Sequence, residues 1–215
     1  MTDYKTEISS LFDMEDIDRS IQYTLEDIEA IYDIKERRMF LNDEINIDTV
    51  NALTYWIMLL NREDNKRGLK PEDRKPIIIY ICSVGGYEAD GFSLMDVIMN
   101  SVTPIYTVNM GYCYSMAFYI FLAGKKRFAL KHATFLMHDG STLVSDSLAK
   151  CRDTLEFQDV KERALKKFVL EHSNITEEIY NDKYRKEWYT MSDEAKKYGL
   201  VDYIVGDDVG FSEVL

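Results

Sequence analysis

The stretch PIIIYIC, residues 76–82, limits what this chain can become more than any other. It is apolar and mostly β-branched, with no alternation of polar and apolar positions. A strand with one wet face alternates; an unbroken run suits a strand covered on both faces, as in the parallel sheets of α/β proteins. SVGG then ends the run with a turn signal. EADGFSLMDVIMNSV reads as a helix, TPIYTVNM as a second apolar strand and SMAFYIFLAG as a buried helix. Strand and helix in alternation predict an α/β fold with right-handed crossovers.

The flanking segments fit that frame. RRMFL, RFAL, ATFLMH and LVDYIV are expected as further strands. Residues 47–61 carry helical periodicity with Asp48 near the start, and NREDNKRGLKPEDRK is expected as a polar loop. A long charged amphipathic helix is expected over 145–171, and shorter ones over 174–181 and 192–198, with Gly199 as a stop. Residues 1–35 read as an acidic, helix-prone extension ahead of a single domain over 36–215.

The chain has 215 residues, 46% hydrophobic and 30% charged, enough for one domain with a real core. Its net charge of −12 argues against nucleic acid, whose phosphates attract clustered Lys and Arg. The same charge argues against an anionic membrane surface. The apolar run 116–123 is far short of the about 20 residues that span a bilayer. No targeting segment is visible, and three dispersed cysteines read as reduced thiols, so a cytoplasmic location is expected.

Ser115 is the first candidate for chemistry. A serine that opens a buried helix after a strand and a glycine turn presents its hydroxyl beside free N–H groups, where negative charge is favoured. Acyl transfer needs that combination of nucleophile and oxyanion donors. The plainer reading is a helix cap. Gly85 and Gly86 directly follow a buried strand and allow backbone N–H groups to turn toward a ligand, or simply make a tight turn. His138 ends an apolar strand before a DG turn, so it is better placed to face a cleft than His132 or His172. No Walker or dinucleotide-binding glycine pattern occurs. Spacing alone does not choose an acid to hold the imidazole.

In this order the pieces resemble the proteolytic subunit of the Clp protease, the ClpP family. KERRMFLNDEINIDTVNAL is similar to the family's opening strand and helix. IIIYICSVGGYEADGFSLMDVI, GYCYSMA and FLMHDG stand for its glycine-pair, serine and histidine motifs, and EAKKYGLVDYIV for its C-terminal motif. The resemblance covers about residues 36–205. It implies a ClpP/crotonase-like fold of stacked strand–helix units, with the helix over 145–171 as a protruding handle. It also implies a serine endopeptidase with Ser115 as nucleophile, His138 as general base, and Gly86 and Met116 as the oxyanion hole. Asp182, the last residue of TEEIYND, is the expected triad acid at the cost of one inserted residue; Glu178 and Glu187 are fallback acids.

The resemblance further implies stacked heptameric rings, unfolded polypeptide substrates, and an AAA+ ATPase unfoldase as partner, so that no cofactor is expected in this chain and ATP is used by the partner. Departures are Val84 for proline, Cys113–Tyr114 for a small pair, Ala117 for glycine and Asp139–Gly140 for Gln–Pro. They keep open a catalytically weak ring subunit with a structural role. A crotonase-type acyl-CoA enzyme is a third reading, which a Ser–His pairing disfavours.

Overall fold

The structure is a computed structural model that describes residues 32–214. The extension expected over 1–35 therefore lies outside the described residues, apart from a short helical turn at 32–35.

A seven-stranded sheet organises the chain. Strands β1 (Arg38–Leu41), β2 (Ile77–Ser83), β3 (Ile105–Tyr114), β4 (Lys126–Leu130) and β7 (Tyr203–Val205) pair in that order, all parallel. β3 is long enough to fork. Its residues 106–109 pair with β4, while 112–114 pair with β5 (Thr134–Met137), also in parallel. β6 (Trp188–Met191) then adds to β5 antiparallel, with Met137 opposite Trp188.

Both faces of β2 are covered, as its sequence demands. Ile77, Ile79 and Ile81 point into the main core and are fully buried. They pack with α1 (Ile47–Lys66), α2 (Glu88–Asn100) and α3 (Met116–Leu122), whose seven residues are all buried. Each large side chain so buried contributes about 1.5–3 kcal/mol. Ile78 and Tyr80 point the other way, into a smaller cluster with Val108, Phe128 and Val205. The C-terminal turn Phe211–Val214 closes that face: Val214 is buried there, and the Tyr80 hydroxyl donates to its carbonyl.

Two elements differ from expectation. α1 does not stop near residue 61 but runs on through the polar NREDNK. Asp64 explains it. Its carboxylate is wholly buried and takes both guanidinium arms of Arg37 and the Thr103 hydroxyl at 2.7 Å, so the helix is held by charge rather than by apolar spacing. β6 has no strand signal in the sequence, because WYTM follows the polar KYRKE and is only four residues long.

The long helix α4 (Leu148–Glu171) buries only Leu165, Phe168 and Val169, all near its C-terminal end. Leu148, Leu155, Phe157 and Val160 along the rest are exposed. α5 (Glu177–Lys183) and α6 (Ser192–Lys197) complete the chain. Among the described residues no helix is long and apolar enough to cross a membrane.

Candidate active site

Three strand ends meet on one side of the sheet. The glycine pair follows β2, Ser115 follows β3 directly, and His138 follows β5 directly. In open α/β sheets the carboxyl ends of parallel strands are where reactive groups gather.

Ser115 joins β3 to α3 with no intervening loop. Its N–H donates to the Leu136 carbonyl of β5 at 3.0 Å, and its carbonyl accepts from Phe118 N–H at 2.9 Å. The backbone between these anchors is left-handed, φ 52° and ψ −125°. That conformation costs a non-glycine residue about 1–3 kcal/mol, and such strain collects at functional sites. The serine does not act as a cap, since its side chain makes no capping hydrogen bond to α3. The hydroxyl is therefore carried on a sharp strand-to-helix elbow at the start of a buried helix.

Gly85 and Gly86 are required by close backbone approach. A Cβ on Gly85 would stand 2.6 Å from the Tyr114 carbonyl oxygen and 2.9 Å from Met116 N, inside the elbow. A Cβ on Gly86 would strike the backbone of Ile45, its partner in an isolated parallel bridge. That bridge uses the Gly85 carbonyl and the Tyr87 N–H, both bonded to Ile45 at 2.8 Å. In extended backbone the intervening N–H points the opposite way, so Gly86 N–H is turned away from Ile45. Met116 is the first residue of α3, whose N–H has no carbonyl within the helix to receive it.

His138 is a partly exposed imidazole whose Nδ1 lies 2.9 Å from Glu187 Oε1. The ladder makes this pairing. With Met137 opposite Trp188, the next pair outward is His138 opposite Glu187. Nδ1 is thus committed to the carboxylate, which leaves Nε2 as the nitrogen for proton exchange. Ser115 and His138 are not hydrogen-bonded to each other here. A backbone bond from Asp139 N–H to the Tyr184 carbonyl, 2.9 Å, fixes the loop that carries Glu187 beside the end of β5.

Asp182, the expected acid, is elsewhere. It sits on α5 with Lys186 Nζ at 2.7 Å and Lys183 Nζ at 3.5 Å. Its hydrogen bond to Lys186 and the charges of both lysines hold its carboxyl below the usual aspartate value. Glu178 is exposed on the same helix. The acid that meets the histidine in this structure is Glu187, one of the two fallback acids, and not Asp182. The antiparallel register of β6 is the missing signal.

The departures near the serine find places in the structure. The Tyr114 hydroxyl bonds Thr134 Oγ1 at 2.9 Å, and its ring packs edge-on against Tyr189 at 5.7 Å. Its bulk is thereby committed to a cross-strand aromatic cluster that also holds Tyr112. Tyr189 lies two residues beyond Glu187 on the same face; partial desolvation, then the Glu187 charge, push its phenol above the ordinary value. Cys113 is fully buried, and burial pushes its thiol well up, so it does not compete as a nucleophile. His172 closes the end of α4, with Nδ1 2.8 Å from the Phe168 carbonyl, and His132 is exposed. Among the described residues, no group of three or more His, Cys, Asp or Glu could hold a metal ion.

Comparison with known proteins identifies the family. Residues 24–208 match the family model described as Clp protease. The ATP-dependent Clp protease proteolytic subunit 2 of Corynebacterium efficiens is 32% identical over 175 residues, 80% of this chain and 83% of the relative. The subunit 2 of Corynebacterium glutamicum is 33% identical over the same length and shares. The proteolytic subunit 1 of Corynebacterium jeikeium is 30% identical over 182 residues, 82% of this chain and 92% of the relative.

Proposed function

This chain belongs to the Clp protease family, and we propose that it is an active serine endopeptidase with Ser115 as nucleophile, His138 as general base and Glu187 as the acid that orients the imidazole. The observation that carries the proposal is the Ser115 elbow: a left-handed serine whose hydroxyl is not spent on capping its helix. A serine retained only for structure would relax into an ordinary cap.

The chemistry is acyl transfer. His138 Nε2 takes the Ser115 proton, and the alkoxide attacks the peptide carbonyl. The N–H groups of Gly86 and Met116 stabilise the oxyanion, each contributing about 3 kcal/mol in comparable sites. The protonated imidazole gives its proton to the leaving amine. Water then attacks the acyl-enzyme, with His138 as base, and frees Ser115. Glu187 holds the Nδ1–H tautomer and stabilises the imidazolium. The Ser115–His138 hydrogen bond forms with substrate; in free enzymes such bonds are often long and tighten on binding.

Family membership supports the remaining parts of the reading. The chain assembles into stacked heptameric rings through α4 as the handle, with the sites facing an inner chamber in the cytoplasm. A separate AAA+ unfoldase uses ATP and feeds unfolded polypeptide, which is cut to short peptides. The purified oligomer hydrolysing a short fluorogenic peptide, with that activity lost in Ser115→Ala, is the expected result. No hydrolysis by the assembled oligomer, with or without a Clp ATPase, would move the chain to the structural-ring reading. The acyl-CoA reading is not favoured, because the matching family model and the relatives named above are Clp proteases.

A further inference from the structure

The first turn of α2 begins two residues after Gly86, and no side chain caps it: its N-cap residue is Tyr87. The turn is held by Glu88 instead. The Glu88 carboxylate accepts from Lys161 Nζ at 2.7 Å and from Gln158 Nε2 at 2.9 and 3.2 Å, both on α4. Glu88 and Lys161 are each about three-quarters buried, with side-chain exposures of 23% and 25%, so the pair is shielded more than a surface bridge. The same carboxylate lies against the segment after His138, where a Cβ on Gly140 would stand 3.5 Å from Oε1. One side chain thus joins the glycine loop, the long helix and the segment after the histidine.

We infer that Glu88 is a positioning residue, which couples α4 to the Gly86 N–H by fixing the start of α2. The inference rests on the serine-endopeptidase reading. The two restraints on Gly86 are unequal. The Ile45 bridge holds both peptides that flank Gly86, through the Gly85 carbonyl and the Tyr87 N–H, and so sets the direction of the Gly86 N–H. Glu88 ties the end of that strip to α4, and through it the position of the strip against the Ser115 elbow depends on where α4 lies. An oxyanion donor must stand 2.7–3.1 Å from the developing charge, so a small rotation of this turn weakens catalysis without loosening substrate binding.

The test compares the wild-type oligomer with Lys161→Met, Glu88→Gln and the exchanged pair Glu88→Lys with Lys161→Glu. Oligomeric state is followed by sedimentation and folding by circular dichroism. The expected result is about a tenfold fall in kcat for peptide hydrolysis in each single variant. KM should stay within about twofold, and the pH profile of kcat/KM should keep its midpoint. The exchanged pair should recover most of the loss. Wild-type kcat in Lys161→Met would overturn the inference, as would a loss that merely follows a change in oligomeric state. A shifted pH midpoint would overturn it too, because Glu88 would then act through charge on the histidine. A wild-type protein without peptidase activity would instead overturn the endopeptidase reading.

Discussion

His138 and Glu187 face each other at the end of the β5–β6 ladder, with Nδ1 2.9 Å from Oε1. Replacing Glu187 by glutamine keeps the shape but removes the charge that selects the tautomer. Glu187→Gln is expected to lower kcat/KM by about 10²–10⁴-fold. Asp182→Asn, whose partners are Lys186 and Lys183, should change it by no more than about twofold. Peptide hydrolysis by the two variants side by side distinguishes the acids. Equal losses, or the reverse order, would return the role to Asp182.

The elbow makes a stability prediction. A methyl group on Gly85 meets Tyr114 O, Ser115 Cβ and Met116 N at 2.6–2.9 Å, two backbone atoms and a Cβ fixed to the backbone, none of which can move aside easily. Gly85 also holds φ +97°, which only glycine adopts without strain. Gly85→Ala should destabilise the fold by about 1–3 kcal/mol and abolish covalent labelling of Ser115 by a fluorophosphonate, read by urea unfolding and by intact mass. Val84, one residue earlier and exposed, should tolerate alanine.

The buried pair Arg37–Asp64 gives a pH-dependent prediction. Burial alone would raise the Asp64 carboxyl. The Arg37 and Thr103 hydrogen bonds and the charges of Arg37 and Arg74 outweigh it and hold the group below 3.8. A depressed folded value means stabilisation that is complete above the unfolded value and is lost as pH falls through the folded one. Asp64→Asn, which leaves Arg37 buried without its counter-charge, should cost about 3–5 kcal/mol at pH 7. The gap between variant and wild type should narrow below about pH 4. A loss that does not depend on pH would contradict the ionic account.

Glu162 runs the other way. Burial, then the negative charges of Asp159, Asp139 and Glu88, raise its carboxyl above 4.5. A raised folded value favours the protonated form, so its contribution is present below the ordinary value and lost as pH rises through the folded one. Glu162→Gln is therefore expected to raise Tm at pH 7–8, and the gain should vanish below about pH 4.5. A thermal melt series across that window checks the sign.

Much of the site can be read locally. Ser115 interrupts an apolar run because α3 is buried and the elbow residue just before it carries a polar group into the cleft. The glycine pair follows from the strand end it terminates, and His138 from the DG turn after ATFLM. What cannot be read locally depends on register. Glu187 reaches His138 only because β6 pairs antiparallel with β5, and WYTM gives too short a signal to announce a strand. Asp182 stands near the end of a helix at nearly the expected spacing, but its side chain is claimed by two lysines. Asp64 is hidden for a related reason: a buried ion pair looks like a polar loop until its partner, 27 residues away, is in place.

The most direct measurement is the intact mass of the assembled protein after incubation with a fluorophosphonate, with Ser115→Ala as the control. One adduct per chain, absent in the variant, is the predicted result, since only a serine activated by its base and oxyanion donors reacts readily. An unlabelled wild-type oligomer, with a Clp ATPase present as well as absent, would contradict the claim that Ser115 is an activated nucleophile.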